Sequence, residues 1–265
     1  MDLWEIVILR PIINILVVAA KYLFGSPGLA IIVFTILIKA ATYPLTKQQL
    51  MASKKMQAMQ PKIQELQKKY GKDKVRMQKE QAALLKESGM TNLGCILPML
   101  VQMPIWIALY QSIIRILATG PEELLNLSRY LYSSWHIVFS MVPLNSQFLW
   151  LNLGSPDRFL IMPILVAGTM WIQQKMVTPK NTDPQQAAQG QMMLVMMPLL
   201  FGFLTLSYPS GLALYWVISN IIGIIMQYFV TGWGGLDTLW FKKKPDNTVK
   251  PSKPATEPKV LPPAK

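Results

Sequence analysis

Thiols and imidazoles are almost missing from this chain. Its 265 residues include one cysteine, Cys95, and one histidine, His136. A lone cysteine excludes a disulfide framework within the chain, and Cys95 is expected to pack as a small apolar group. One histidine and one cysteine leave no ligand set for zinc. No Ser/His/Asp grouping, Gly-rich phosphate loop or zinc-ligand spacing occurs. No enzyme motif is present, and no cofactor or metal site is expected. Acids are scarce too, with 13 Asp and Glu against 26 Lys and Arg, a net charge of +13. The opening MDLWEIVIL has two acids and no basic region, so a cleavable signal peptide is not expected. Residue 2 is Asp and no cysteine lies nearby, which leaves no lipidation signal.

What the chain has is apolar length. It is 52% hydrophobic and 15% charged, with a mean hydropathy of +0.31. These values fit a multi-span, all-α membrane protein better than a soluble domain. Residues 1–26 form an N-terminal segment, 27–230 a core of five spans (about 28–46, 93–118, 158–178, 191–207 and 212–230), and 231–265 a basic, disordered tail. Residues 3–24 mix apolar blocks with Glu5, Arg10, Pro11, Asn14 and Lys21. They read as an amphipathic helix at the membrane interface, bent at Pro11. A true span from Ile12 is the competing reading, but it falls short of the ~20 residues that a span needs.

Residues 47–90 hold eleven Lys/Arg and four Asp/Glu. Met56, Met59, Ile63, Leu66 and Tyr70 recur at alternating +3 and +4 steps, the seam of a coiled-coil-like helix. Gly71-Lys72 marks a turn, Asp73 an N-cap and Gly89 a helix stop. The result is a basic helical hairpin outside the membrane. Its charge fits either a solvated face or a docking surface for RNA, acidic lipid or an acidic partner. In the loop at 119–157, Trp135 and Trp150 read as interfacial anchors. Residues 179–190 read as a polar connector. The hairpin, the 175–190 segment and the tail carry twenty of the 26 Lys/Arg. The positive-inside rule therefore puts them in the cytoplasm with the C-terminus inside; the N-terminus is expected outside with residues 3–24 on the interface, and would lie inside if they spanned the membrane, a choice the charge rule does not make.

The stretch Ile31–Thr46 carries a lysine inside an apolar run. Thr35, Lys39, Thr42 and Thr46 share one helical face. Lys39 lies roughly 12 Å from the cytoplasmic edge, Gln102 about 13 Å deep and Asn220 about 15 Å deep, at 1.5 Å per residue. Trp216, Asn220, Gly223 and Gln227 share a face, as do Thr169 and Gln173. Polar side chains thus cluster in the cytoplasmic half of four spans, whereas the outer half is plainer apart from Gln111 and Arg115. A polar cavity open to the cytoplasm and closed outside accounts for the pattern. Pro44, Pro98, Pro104, Pro163 and Pro198 are candidates to bend helices and widen it. Plainer readings stand beside this one. Lys39 can snorkel toward the headgroups, and Gln102 and Asn220 can bridge helices in a packed bundle.

Four runs carry a family resemblance: TYPLTKQQ (42–49), GCILPMLVQMPIWIALY (94–110), MPILVAGTMWIQQKM (162–176) and YPSGLALYWVISNIIGIIMQ (208–227). Their order, the basic hairpin and the short turn before the last span resemble the YidC/Oxa/Alb membrane insertases, most closely the bacterial YidC type. The match covers roughly residues 25–230, and the large periplasmic domain of many Gram-negative members has no counterpart in it. The resemblance implies a non-enzymatic insertase and folding chaperone of the bacterial inner membrane. It implies nascent membrane proteins as clients, with the ribosome, the Sec translocon, the signal recognition machinery and membrane lipids as partners, and no DNA. It also implies a hydrated groove with a cation on the first core span. Lys39 takes that place, where the family usually has arginine. A lysine is a compact charge without arginine's bidentate fork. Tyr215, Trp216 and Gln102 match positions lining or bordering the groove, so the expected client-binding set is Lys39, Thr35, Thr42, Gln102, Gln173, Tyr215, Trp216 and Asn220. Two other classes remain open. A small-solute transporter or channel needs an outward path as polar as the inward one. A membrane anchor for ribosomes or nucleic acid needs only the hairpin and tail.

Overall fold

The structure is a computed structural model. It describes residues 2–70, 73–87, 93–117, 121–132, 144–178 and 184–236. The expected turn at Gly71-Lys72, the stop at Gly89, Trp135, His136, most of the proline-rich tail and the side chain of Cys95 lie outside the described residues.

The described chain is almost wholly helical. A π-helical turn at Glu5–Leu9 runs into α1 (Arg10–Tyr22). Pro11 sits in the first turn of α1, where the ring has no N–H to offer the widened turn before it. Gly25, at φ +72°, turns the chain back, and Ser26 caps α2 (Pro27–Ala41) by accepting from the Leu29 N–H at 3.4 Å. The N-terminal helix and α2 meet at 120°, so the segment folds back along the bundle. Its burial is one-sided. Leu9, Ile13, Leu16, Val17 and Ala20 are buried, whereas Leu3, Ile6, Val7 and Ile15 are exposed.

At Thr42 the helix breaks. Its φ and ψ of −87° and 2° leave the α region, and α3 (Tyr43–Tyr70) starts at once. Pro44 therefore begins a helix instead of bending one. α4 (Lys74–Glu87) returns from α3, and the Asp73 carboxylate caps it by accepting from the Arg76 N–H at 3.0 Å. α5 (Leu93–Ile116) and α6 (Pro121–Tyr130) follow. A two-residue antiparallel ladder then joins β1 (Gln147–Phe148) to β2 (Leu151–Asn152), with Phe148 opposite Leu151. The Phe148 ring lies where a Cβ on Gly28 would stand, which seats the ladder against the first turn of α2.

α7 (Ile161–Val177) is capped by Asp157, whose two carboxylate oxygens accept from the N–H groups of Phe159 and Met162. α8 (Pro184–Leu204) starts well before residue 191. The Gln- and Ala-rich part of the expected connector is helical because Pro184 opens a run of good helix formers. α9 (Ser210–Thr231) is tied at its start to the preceding loop: the Ser210 and Gly211 N–H groups donate to the carbonyls of Ser155 and Leu153.

The apolar core gathers Leu9, Ile13, Phe34, Leu109, Ile113, Leu153, Leu212 and Tyr215. It occupies the end of the bundle away from the α3–α4 hairpin. α8 is apolar on its outside as well, with Met192 64%, Leu199 59% and Phe203 68% exposed. Such a surface belongs in lipid. Among the described residues, two helices are long and apolar enough to cross a membrane, Ala187–Leu204 and Ser210–Thr231, and the bent pair makes a third if counted as one span.

Asn14 is the fully buried polar link between α1 and the segment after α6. Its Nδ2 donates to the carbonyls of Arg10 and Tyr130 at 2.8 Å each, and its Oδ1 accepts from the Tyr132 N–H at 3.0 Å. Asn14→Ala strands those backbone groups and is expected to cost about 3 kcal/mol. Unfolding in detergent micelles checks this, and a loss below about 0.5 kcal/mol would show that water replaces the amide.

Candidate functional site

Five helices meet around a cavity of about 390 Å³ next to the hairpin. The last turn of α2 contributes Lys39, and Thr42 follows at the break. Because the chain turns there, the first two turns of α3 fold over the cavity and bring Thr46, Gln49 and Leu50 to its wall. α5 gives Gln102. α7 gives Met170, Gln173 and Gln174. α9 gives Asn220, Gly223, Met226 and Gln227.

The polar groups are held in place by specific partners. Asn220 Nδ2 donates to Thr169 Oγ1 at 3.1 Å, joining α9 to α7. Gly223 lies under the Gln173 amide, which occupies the space a Cβ would need, so the missing side chain lets Gln173 reach the cavity. Gln102 Nε2 donates to the Tyr215 hydroxyl at 2.6 Å. Gln227 is 1% exposed, and its Oε1 is a buried acceptor without a hydrogen-bond donor among the described residues. A polar cavity of this size can satisfy it with water. Gln57 Nε2 donates to the Val177 carbonyl at 2.6 Å, and Lys54 Nζ to the Val230 carbonyl at 3.5 Å. These bonds fasten α3 to the adjacent ends of α7 and α9.

Among the described residues, Lys39 is the one charged residue in the cavity wall, every other polar side chain there is a neutral amide or hydroxyl, and no carboxylate lines it. A cation in a site of reduced dielectric, without a paired anion, attracts negative charge more strongly than it would in water. Among the described residues no group of three His, Cys, Asp or Glu side chains can hold a metal ion.

Of the eight residues picked out by sequence, the cavity brings together Lys39, Thr42, Gln102, Gln173 and Asn220. Thr35 stands apart. It is fully buried and its hydroxyl donates to the Ile31 carbonyl at 2.6 Å. Tyr215 is 1% exposed and stands behind Gln102. Trp216 belongs to an aromatic cluster. It stacks on Trp106 at 6.0 Å and 16°, and meets Phe201 and Tyr208 edge-on. Gln49 and Gln174 are not among those eight: Gln49 reaches the wall because α3 leans back over the cavity after the break at Thr42, and Gln174 follows Gln173 on α7.

Comparisons with known proteins show the family. The family model described as 60Kd inner membrane protein matches residues 19–234. A protein of Oceanobacillus iheyensis, called membrane protein insertase YidC, is 35% identical over 236 residues, covering 86% of this chain and 83% of that protein. The chain belongs to the YidC family of membrane insertases. A Geobacter sulfurreducens YidC is 34% identical over 229 residues, covering 86% of this chain and 38% of that protein. The chain thus spans little more than a third of the length of several YidC relatives that it matches. A solved structure, described as an active YidC insertase with the first transmembrane domain resolved, shares 25% identity at a TM-score of 0.54, over 79% of this chain and 43% of that one. These relatives are named for insertion and not for a covalent reaction, and the apolar helices agree with a bacterial membrane protein.

A hydrated cavity has a direct chemical readout. In a Cys95→Ser background, Asn220→Cys is expected to react with a water-soluble maleimide about tenfold faster than Ile225→Cys on the outward face of α9. Equal rates would mean that the cavity is dry.

Proposed function

We propose that the chain is a membrane protein insertase and folding chaperone, and that the cavity around Lys39 receives client segments. One observation carries the reading: among the described residues a single cation, without a carboxylate beside it, lines an amide-rich cavity between helices whose outer faces are apolar. α2, α5, α7, α8 and α9 serve as the five spans, with the N-terminal helix on the outer interface. The hairpin and tail lie in the cytoplasm, and the N-terminus lies outside. At 1.5 Å per residue, α5 is about 36 Å long and α7 about 26 Å, near the thickness of a hydrocarbon core.

In this mechanism water enters the cavity from the cytoplasm and shortens the hydrocarbon path for a polar segment. The short acidic tail of a client is drawn to Lys39. It then moves outward while its apolar helix passes into lipid along the protein. Each negative charge gains ~2.3 kcal/mol per 100 mV from a potential positive outside. Transfer of the apolar helix into lipid supplies the remaining drive. No bond is made or broken.

The apolar core and the Trp106–Trp216 stack beyond the cavity favour this reading over a channel, which needs a continuous polar path. The basic hairpin and tail fit ribosomal RNA, with contacts that weaken as salt rises. The Sec translocon and the signal recognition machinery are proposed partners.

Sealed liposomes test the cation. A single-span client with a short acidic tail is added, and protease protection of the tail is scored. Lys39→Ala is expected to lower insertion about tenfold, equivalent to ~1.4 kcal/mol, and Lys39→Arg to retain it. Equal insertion by wild type and Lys39→Ala would remove the electrostatic step.

A further inference from the structure

A second polar cavity lies at the other end of the bundle. It has a volume of about 610 Å³ and is bounded by the N-terminal π turn, the last turn of α5, and α6. Among the described residues, two cations, Arg115 and Arg129, and two acids, Glu5 and Glu123, line it. Thirteen residues of helix separate Gln102 in the first cavity from Arg115 in the second, or about 20 Å.

The charged groups are set on rigid supports. Arg115 lies over the Tyr130 ring at 4.9 Å, and its Nη1 donates to the Gln111 carbonyl at 3.3 Å. A guanidinium has five N–H donors, so donors remain for an anion. The Tyr130 hydroxyl donates to Glu5 at 2.7 Å and holds that carboxyl below the usual carboxylate range, so Glu5 is charged at neutral pH. Trp4 Nε1 donates to Gln111 Oε1 at 3.1 Å and clamps the π turn to α5. Apolar side chains flank this charged group. Ile6 and Val7 follow Glu5 in the chain and are 47% and 58% exposed, and Ile114 precedes Arg115 and is 45% exposed.

We propose that this cavity binds the headgroup of a zwitterionic phospholipid, with the phosphate on Arg115 and Arg129, the primary amine on Glu5, and an acyl chain along Ile6, Val7 and Ile114. The balance of charge selects the ligand. Two cations and two acids give no net pull on an acidic peptide or a free anion, whereas a phosphate joined to an ammonium can meet both signs at once. The apolar flank selects an amphiphile over a soluble zwitterion. Placing this lipid in the outer leaflet rests on the orientation proposed above. The binding itself does not.

Native mass spectrometry of the delipidated full chain in detergent tests the proposal. The probes are dioleoyl phosphatidylethanolamine, phosphatidylglycerol and phosphatidylcholine, together with glycerophosphoethanolamine and a short acidic peptide. The ethanolamine lipid is expected to bind at least about tenfold more tightly than the other two lipids and the soluble headgroup. Arg129→Gln, an exposed position, is expected to weaken it several-fold. Glu5→Gln is expected to shift the preference from the ethanolamine lipid toward phosphatidylglycerol. Unchanged preference in both variants overturns the site. Equal binding of glycerophosphoethanolamine overturns the lipid as its source, and tighter binding of the acidic peptide overturns the ligand class. No client is used, so a failed insertion assay leaves this result readable. An impermeant label on Asn126→Cys in sealed vesicles, in the Cys95→Ser background, reports separately which leaflet the cavity faces.

Discussion

An amine inside an apolar bundle has to be solvated by something, and the cavity is organised around that constraint. Among the described residues, no carboxylate stands in the wall to neutralise Lys39. A bare ammonium in hydrocarbon costs far more than folding can supply. The surrounding side chains therefore have to admit water while they hold the helices together. Neutral amides do both. Asn220 joins α9 to α7 through Thr169, and Gln102 joins α5 to α9 through Tyr215. Had aspartate or glutamate stood at these places, the lysine would be paired, and an incoming acidic group would have to compete for it.

The bundle supports this arrangement by unequal packing along its length. At the hairpin end the helices are spread, and α3 crosses the gap with polar contacts to the ends of α7 and α9. At the other end large apolar side chains fill the space between α1, α2, α5 and α9. Between them lies the cluster of Trp106, Tyr110, Phe201, Tyr208 and Trp216. Aromatic rings at these angles make a dense layer through favourable edge-to-face contacts. The change from amides to aromatics along α9 happens within one turn, between Trp216 and Asn220. The aromatic layer thus bounds the polar cavity on its inner side.

Much of the site was legible in the sequence because helical spacing and depth are counting problems. Lys39, Gln102 and Asn220, counted at similar depths from their span ends, come from three helices and line one cavity, and Gln173, counted as shallower, lines it too. Face-sharing was less reliable. Thr35 lies on the stripe of Lys39, but four residues deeper the neighbouring helices close in, and its hydroxyl bonds back to its own helix. The break at Thr42 was not legible as geometry. Tyr-Pro there is equally compatible with a kinked span or a new helix, and tertiary contacts with α7 and α9 decide the direction of α3. The β1–β2 ladder is too short to leave a periodic signal. Asp157 caps α7 from the loop before its first turn, a role that an acid in a loop does not signal by itself.

The two polar regions also differ in the sign of their electrostatics, and that difference gives the molecule a direction. The cavity beside the hairpin has one positive charge among neutral groups. The cavity at the far end has two charges of each sign. An acidic segment is attracted at the first and meets no net attraction at the second. A helix bundle with strong cations at both ends would hold a translocated acidic tail at its exit. In the proposed insertion mechanism, balanced charge at that end releases such a tail to solvent. Under that proposal, attraction on entry and neutrality on exit require no moving part, only carboxylates on the π turn and α6 and none among the described residues around Lys39.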